Sequence, residues 1–423
     1  MMNVSNSLQH IFLTVFVMSS IATSALSQKS QQDTLLEKLF ISQDSLFEEI
    51  IQKKDKLNIQ VIYTTIDRNK KGEAKFTDHK FNVNPENYFY PASTVKFPVA
   101  ILALQKLNEL KIPGLDRNTT MITEAENSFQ SVVFNDPSAT DGRPTIAQYI
   151  KRILLVSDND AFNRLYEFLG QEYINNTLHE MGYTKGQIIH RLSISLPDEE
   201  NRFTNPVKFF DNTGNLVYMK PAERSQLVYD TQEVKLGKGY IQGAKLVQYP
   251  FDFSMKNRLL LDDLHSMIKS IMFPDEVPDK KRFNLKKEDY EFLRKYMSMR
   301  PAESGSPAYD STVYWGNYVK MIFYGAERSK PEDGIRIFNK TGTAYGFLTD
   351  VCYLADFNNG IEFFVSATIY CNSDEIFNDD KYDYTATGYP FLKTLGRIIY
   401  EYELKRLKKY KPDLSAFRFD YRF

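Results

Sequence analysis

The sequence predicts an α/β protein of the α+β kind: an antiparallel sheet assembled from both chain ends, flanked by helices, with an all-helical subdomain inserted between them. Three observations point there. Residues 57–66 and 74–83 alternate apolar and polar as two strands, joined by turn chemistry at 69–73. Residues 347–356 and 361–370 form a second strand pair across Asn359-Gly360, a strong local hairpin signal. The long middle carries mostly helical spacing, so the strands at either end must find each other in space.

Taken in order, residues 33–53 carry helix spacing through Leu36, Leu39, Phe40, Leu46, Ile50 and Ile51. After the first strand pair, an apolar-periodic run (Phe97, Val99, Ala100, Ile101, Leu104, Leu107) predicts a helix ending before Pro113-Gly114. Thr145 and Gln148 make a capping box, in which each satisfies the other's orphan backbone donor, and the helix it opens runs to Val156. Ser157-Asp158-Asn159-Asp160 interrupts the pattern, and a second helix closes at Gly170. Residues 205–252 look irregular, with a hairpin around Asp211 to Gly214 and the character of an insertion over the cleft. Two amphipathic helices follow near 256–272 and 286–298, and a short strand at 335–339 leads into Lys340-Thr341-Gly342. A long C-terminal helix begins at Pro390.

The 423 residues are 42% hydrophobic and 25% charged, enough for a packed core and against general disorder. A net charge of −1 offers no electrostatic reason to expect a nucleic-acid partner. The basic stretch 405–409 reads as a solvated face near a helix end. Residues 1–27 read as a secretory signal, with an apolar run at 11–17 and the small-residue site Ala25-Leu26-Ser27, leaving 28–423 as the mature domain. No segment approaches the 18 apolar residues of a membrane span. The expected product is secreted or periplasmic, with a monomer as the default. Cys352 and Cys371 do not face each other in the proposed hairpin, so two free thiols are expected.

The chemistry concentrates in three short motifs. Ser93 and Lys96 stand three residues apart at a helix start, where a neutral lysine can take the proton of the serine hydroxyl. On its own that spacing arises about once by chance in a chain this long. It is followed by Ser157-Asp158-Asn159 and Lys340-Thr341-Gly342, and the three together have a chance expectation of about 0.003. Acyl transfer needs a nucleophile, a base, a proton donor for the leaving amine and donors aimed at the oxyanion. Gly342 would let a substrate approach the strand closely. A charge on Lys340 would depress the Lys96 amine by like-charge repulsion.

This set, in this order, resembles the class A β-lactamases and penicillin-binding proteins, and the order of elements from about 57 to 407 resembles them too. The resemblance implies a β-lactamase-like fold with the active site between sheet and helical subdomain. By that resemblance Ser93 is the acylated nucleophile, Lys96 its base, and Ser157 the relay to the leaving nitrogen. It likewise implies that Asn159 holds Lys96 and the substrate's side-chain carbonyl. Lys340 and Thr341 would bind the substrate carboxylate, and the backbone N–H groups of Ser93 and Thr343 would form the oxyanion hole. No cofactor or metal is implied, and the substrate is a small molecule, a β-lactam or a cell-wall peptide.

Two departures stand out. The family's deacylating Glu, with an Asn shortly after, has no E-x-x-L-N counterpart in 191–201. Glu199 and Glu200 are the candidates for that base, against the alternative of an exposed acidic loop. No Arg or Lys lies between Ala344 and Tyr370 to assist with a carboxylate. The sequence therefore keeps open a β-lactamase, a penicillin-binding D,D-peptidase or esterase, and a slowly deacylating sensor. The five scattered histidines argue against zinc, Gly237-Lys238-Gly239 lacks dinucleotide-loop spacing, and no G-x-S-x-G elbow is present.

Overall fold

The structure is a computed structural model that describes residues 34–41 and 43–421; the expected signal segment 1–27 lies outside them. Strands β1 (Gln60–Arg68) and β2 (Ala74–Phe81) form the early pair. Strand β3 (Thr120–Thr123) pairs with β4 (Val207–Phe210), which pairs with β5 (Leu216–Lys220). Four short strands follow: β6 (Lys235–Leu236), β7 (Gly239–Gln242), β8 (Lys245–Val247) and β9 (Phe251–Asp252). Strands β10 (Ile335–Ala344), β11 (Phe347–Asp356) and β12 (Ile361–Tyr370) precede the two-residue β13 (Ile376–Phe377).

The main sheet has the order β10-β11-β12-β1-β2 and every neighbour is antiparallel. Both ends of the chain therefore build it, as the alternation in the sequence predicts. The two central hairpin strands are buried at every residue but the half-buried Tyr370, because helices cover both faces. Successive residues separate cleanly. Val351, Tyr353 and Ala355 pack with the helical insert, while Cys352 and Leu354 pack with the terminal helices through Phe391, Leu395 and Ile399. Cys352 lies opposite Val365, and both cysteines are buried free thiols.

Several local expectations change. The 33–53 helix is two helices, Leu35–Phe40 and Ser45–Gln52, because Asp44 caps the second by accepting the Phe47 N–H at 3.0 Å. The capping box is half made: Thr145 Oγ1 accepts the Gln148 N–H at 3.0 Å, but the Gln148 amide donates to Ser138 instead. The helices expected near 256–272 and 286–298 span Leu261–Met272 and Lys287–Ser298. Residues 205–252 are only partly irregular: short strands lie among them, while 221–234 carry none. Asp211 accepts N–H groups from Thr213 and Asn215 to close a hairpin, and β4 finds its other partner in β3, some ninety positions earlier. The strand expected to end at Asn339 continues through the Lys340 motif to Ala344, since ladder bonds to β11 override the local signal of Gly342. In the basic stretch, the C-terminal helix stops at Lys405, and Arg406 and Lys408 ion-pair with buried Glu403.

Candidate active site

Ser93 does not sit in the first turn of the α-helix. It lies on a 3₁₀ turn, Ala92–Val95, that runs straight into the helix Lys96–Leu110. In 3₁₀ geometry residues three apart eclipse one another, so Lys96 is brought directly over Ser93. Ala92, immediately before Ser93, has φ +47°, a left-handed conformation that costs a non-glycine residue roughly 1–2 kcal/mol. Thr94 holds the turn in place by donating both its N–H (3.0 Å) and its hydroxyl (2.6 Å) to the Pro91 carbonyl. The following helix is buried on nearly every side, from Phe97 to Leu104, which anchors Lys96 in the core.

The second motif is a joint between helices. Ser157 ends the helix Ile146–Val156 at φ +61°, and Asp158 caps the next helix, Asn159–Leu169, by accepting the Ala161 N–H at 2.8 Å. Arg152 pairs with Asp158 at 3.0 Å and with Asp136 at 3.2 Å, so Asp158 serves the joint. The sharp turn aims Ser157 and Asn159 at Lys96. The amine donates to the Ser157 carbonyl and to Asn159 Oδ1 (2.7 Å), and its nitrogen lies 2.9 Å from Ser93 Oγ and 3.3 Å from Ser157 Oγ. Two carbonyl-type oxygens take two of its hydrogens, leaving one position of the nitrogen toward the serine hydroxyls.

The third motif arrives on β10, the edge strand of the sheet. Lys340 Nζ donates to Ser157 Oγ at 2.9 Å and to the Thr341 carbonyl at 2.7 Å. Gly342 is needed for a reason other than substrate approach. A Cβ there would lie 2.4 Å from the Pro91 carbonyl oxygen and 3.1 Å from the Ser93 nitrogen. The bare backbone is what lets the strand press against the Ser93 turn.

The electrostatics also differ from the expectation. Burial, opposed by Asp158, pushes Lys96 down to about 7. The like-charge repulsion acts instead on Lys340, which burial first and Lys96 second hold well below the ordinary lysine range. Two amines flanking one hydroxyl in a dry site do not both keep their protons unless an anion joins them. Behind them Asp350, pushed up to about 6 by burial, accepts from the Ile322 N–H (2.9 Å) and Asn339 Nδ2 (2.8 Å).

A cavity of about 510 Å³ opens over this cluster, with Ser93, Ser157, Asn159, Thr341 and Thr343 in its wall. Lys96 and Lys340 are buried behind that wall. Glu199 and Glu200 are not part of it. Glu199 is exposed and gripped by Arg224 in two contacts, 2.6 and 3.0 Å, which hold its carboxyl below the usual range. Residues 205–252 contribute nothing to the wall either. Among the described lining residues the one carboxylate is Asp158, already tied to Arg152.

Sequence reasoning missed two groups. Ser193 Oγ accepts from Asn159 Nδ2 at 2.8 Å, which leaves one amide hydrogen for a ligand. Tyr314, Trp315, Tyr318 and Tyr389 line the same cavity. The aromatic density of 309–318, which holds the chain's single Trp, was the available signal. Among the described residues no cluster of three His, Cys, Asp or Glu could hold a metal, and no helix is long and apolar enough to cross a membrane.

Residues 45–225 match the model of the beta-lactamase enzyme family, a segment that contains Ser93, Lys96, Ser157 and Asn159. Over that segment the chain is similar to the beta-lactamase enzyme family. Comparison with curated protein sequences finds no match. Solved structures with similar folds include a class A beta-lactamase from Clostridium kluyveri, at 14% identity over 84% of this chain and 97% of that one, TM-score 0.46. PBP-A is similar at 14% identity over 85% and 96%, TM-score 0.46. A beta lactamase from Xanthomonas campestris follows at 11% identity over 84% and 96%, TM-score 0.44. Likeness at this level bears on neither substrate nor mechanism.

Proposed function

We propose that the protein is an exported, monomeric serine hydrolase that opens the strained cyclic amide of a β-lactam through an acyl-Ser93 ester. One observation carries the reading: a buried amine pushed down to about 7 lies 2.9 Å from the Ser93 hydroxyl, in the wall of an open cavity. At neutral pH about half of such an amine is unprotonated and able to act as a base. Ser93 Oγ attacks the carbonyl carbon while its proton passes to Lys96 Nζ. The C–N bond then breaks as Ser157, 2.9 Å from Lys340 Nζ, passes its proton to the leaving nitrogen and takes in its place the proton held on Lys96, whose Nζ lies 3.3 Å from Ser157 Oγ. The N–H groups of Ser93 and Thr343 receive the oxyanion, Asn159 the acyl side chain, and Lys340, Thr341 and Gly342 the strand-side contacts.

A second reading, slow deacylation as in a penicillin-binding peptidase or sensor, draws on a specific observation. The candidate deacylating carboxylates, Glu199 and Glu200, are absent from the cavity wall, and Asp158 is occupied by Arg152. Intact-protein mass spectrometry after mixing with benzylpenicillin separates the cases. A transient adduct with turnover marks a lactamase, and a persistent adduct marks a binder or peptidase. The Ser93→Ala variant is expected to show no adduct. If the wild-type chain forms none, or the variant forms one, the acyl-Ser93 reading is wrong.

A further inference from the structure

We propose that Tyr314, Trp315 and Tyr318 form a leaving-group subsite that selects substrates whose departing portion carries a flat aromatic group. The inference rests on the acyl-Ser93 reading for the direction of the chemistry. Ser157 is the proton donor to the leaving atom, so the space beyond Ser157 receives the departing group. The cavity that Ser157 and Thr341 line is also lined by Tyr314, Trp315 and Tyr318. Ser193, on the Asn159 side that would hold the acyl portion, does not line it.

The wall is built to stay in place. Trp315 and Tyr314 each meet Tyr318 edge to face, with centroids 5.0 Å apart. The Arg328 guanidinium covers the Trp315 ring, 4.7 Å from its centroid. Asn317 Nδ2 donates to the Ser329 carbonyl at 2.8 Å, and Gly316 sits so close under Pro331 that a Cβ would come within 2.8 Å of its ring. A fixed aromatic face binds another ring at little entropic cost. Among the described lining residues there is no Lys or Arg, so stacking and shape, rather than charge, discriminate here. Each ring contact is expected to contribute about two- to tenfold.

The test uses the full chain and two cephem β-lactams with the same acyl side chain, one with a styryl group at C3 and one with methyl. Acylation rate constants at Ser93 are measured by intact mass and divided by each compound's hydroxide hydrolysis rate, which removes intrinsic reactivity. The styryl compound is expected to be favoured about tenfold; Trp315→Ala should reduce that normalised ratio toward one, and Trp315→Phe should retain most of it. A ratio near one in the wild-type chain, or a ratio untouched by both Trp315→Ala and Tyr318→Ala, overturns the proposal. A second readout needs neither acylation nor a wall variant. Trp315 is the only tryptophan, so its emission in Ser93→Ala should change saturably with the styryl cephem and far less with the methyl one. Failure of the wild-type chain to acylate with either compound refutes the acyl-serine reading. An unchanged emission refutes the subsite.

Discussion

The pH dependence of acylation follows from the position of Lys96. An amine held at about 7 instead of 10.5 has lost on the order of 5 kcal/mol of preference for its charged form, and burial is the cause. The neutral base is then about a tenth populated at pH 6 and nine-tenths at pH 8. The acylation rate constant should rise roughly tenfold across that interval and level off above it. A lysine in water would instead give a tenfold rise for every pH unit up to about 10. Asp158 opposes the burial, so Asp158→Asn, which keeps a good N-cap, should move the inflection to lower pH. Lys96→Arg has no accessible neutral form and should lose about 10²- to 10⁴-fold in rate. The assay is stopped-flow acylation with a chromogenic cephem between pH 5 and 10, checked by intact mass. A unit-slope rise continuing past pH 9, or a flat profile from 5 to 9, refutes the assignment of Lys96 as the base. The same depression carries a stability sign. Between about 7 and 10.5 the unfolded chain binds the extra proton, so this group's contribution raises stability as pH rises through that window.

Two further outcomes are expected. Gly342→Ala places a methyl group 2.4 Å from the Pro91 carbonyl oxygen, so β10 and the Ser93 turn must separate. A loss of about 1–3 kcal/mol by denaturant unfolding and a fall in acylation of about a hundredfold should accompany each other, and wild-type acylation in this variant would show that the contact is dispensable. Glu199→Gln should leave the deacylation rate within about twofold, since the carboxylate is held by Arg224 outside the cavity wall; a tenfold slowing would make it the missing base.

Much of the fold is legible because its signals are local. The bounds of β11 and β12 coincide with the two runs on either side of Asn359-Gly360, since a tight turn and the strands it joins are written in neighbouring residues. The same holds for Gly170 as a helix end. What misled was context. The strand read as 335–339 runs on through Gly342, whose ladder partner Thr349 keeps it in the sheet. The irregular look of 205–252 concealed a sheet whose third strand, β3, lies far back in the chain.

The sequence by itself determined which residue types are available for acyl transfer and that both ends of the chain contribute strands, because composition, periodicity and motif order need no folding to be read. Tertiary structure alone decided how they act. It determined that burial, rather than Lys340, depresses the Lys96 amine. It also decided that Gly342 is small to admit the Ser93 turn, that Glu199 is spent on Arg224, and that Tyr314, Trp315, Tyr318 and Tyr389 line one cavity with Ser93. Each of these depends on desolvation or on contact between segments up to 250 residues apart, and neither quantity exists until the chain is packed.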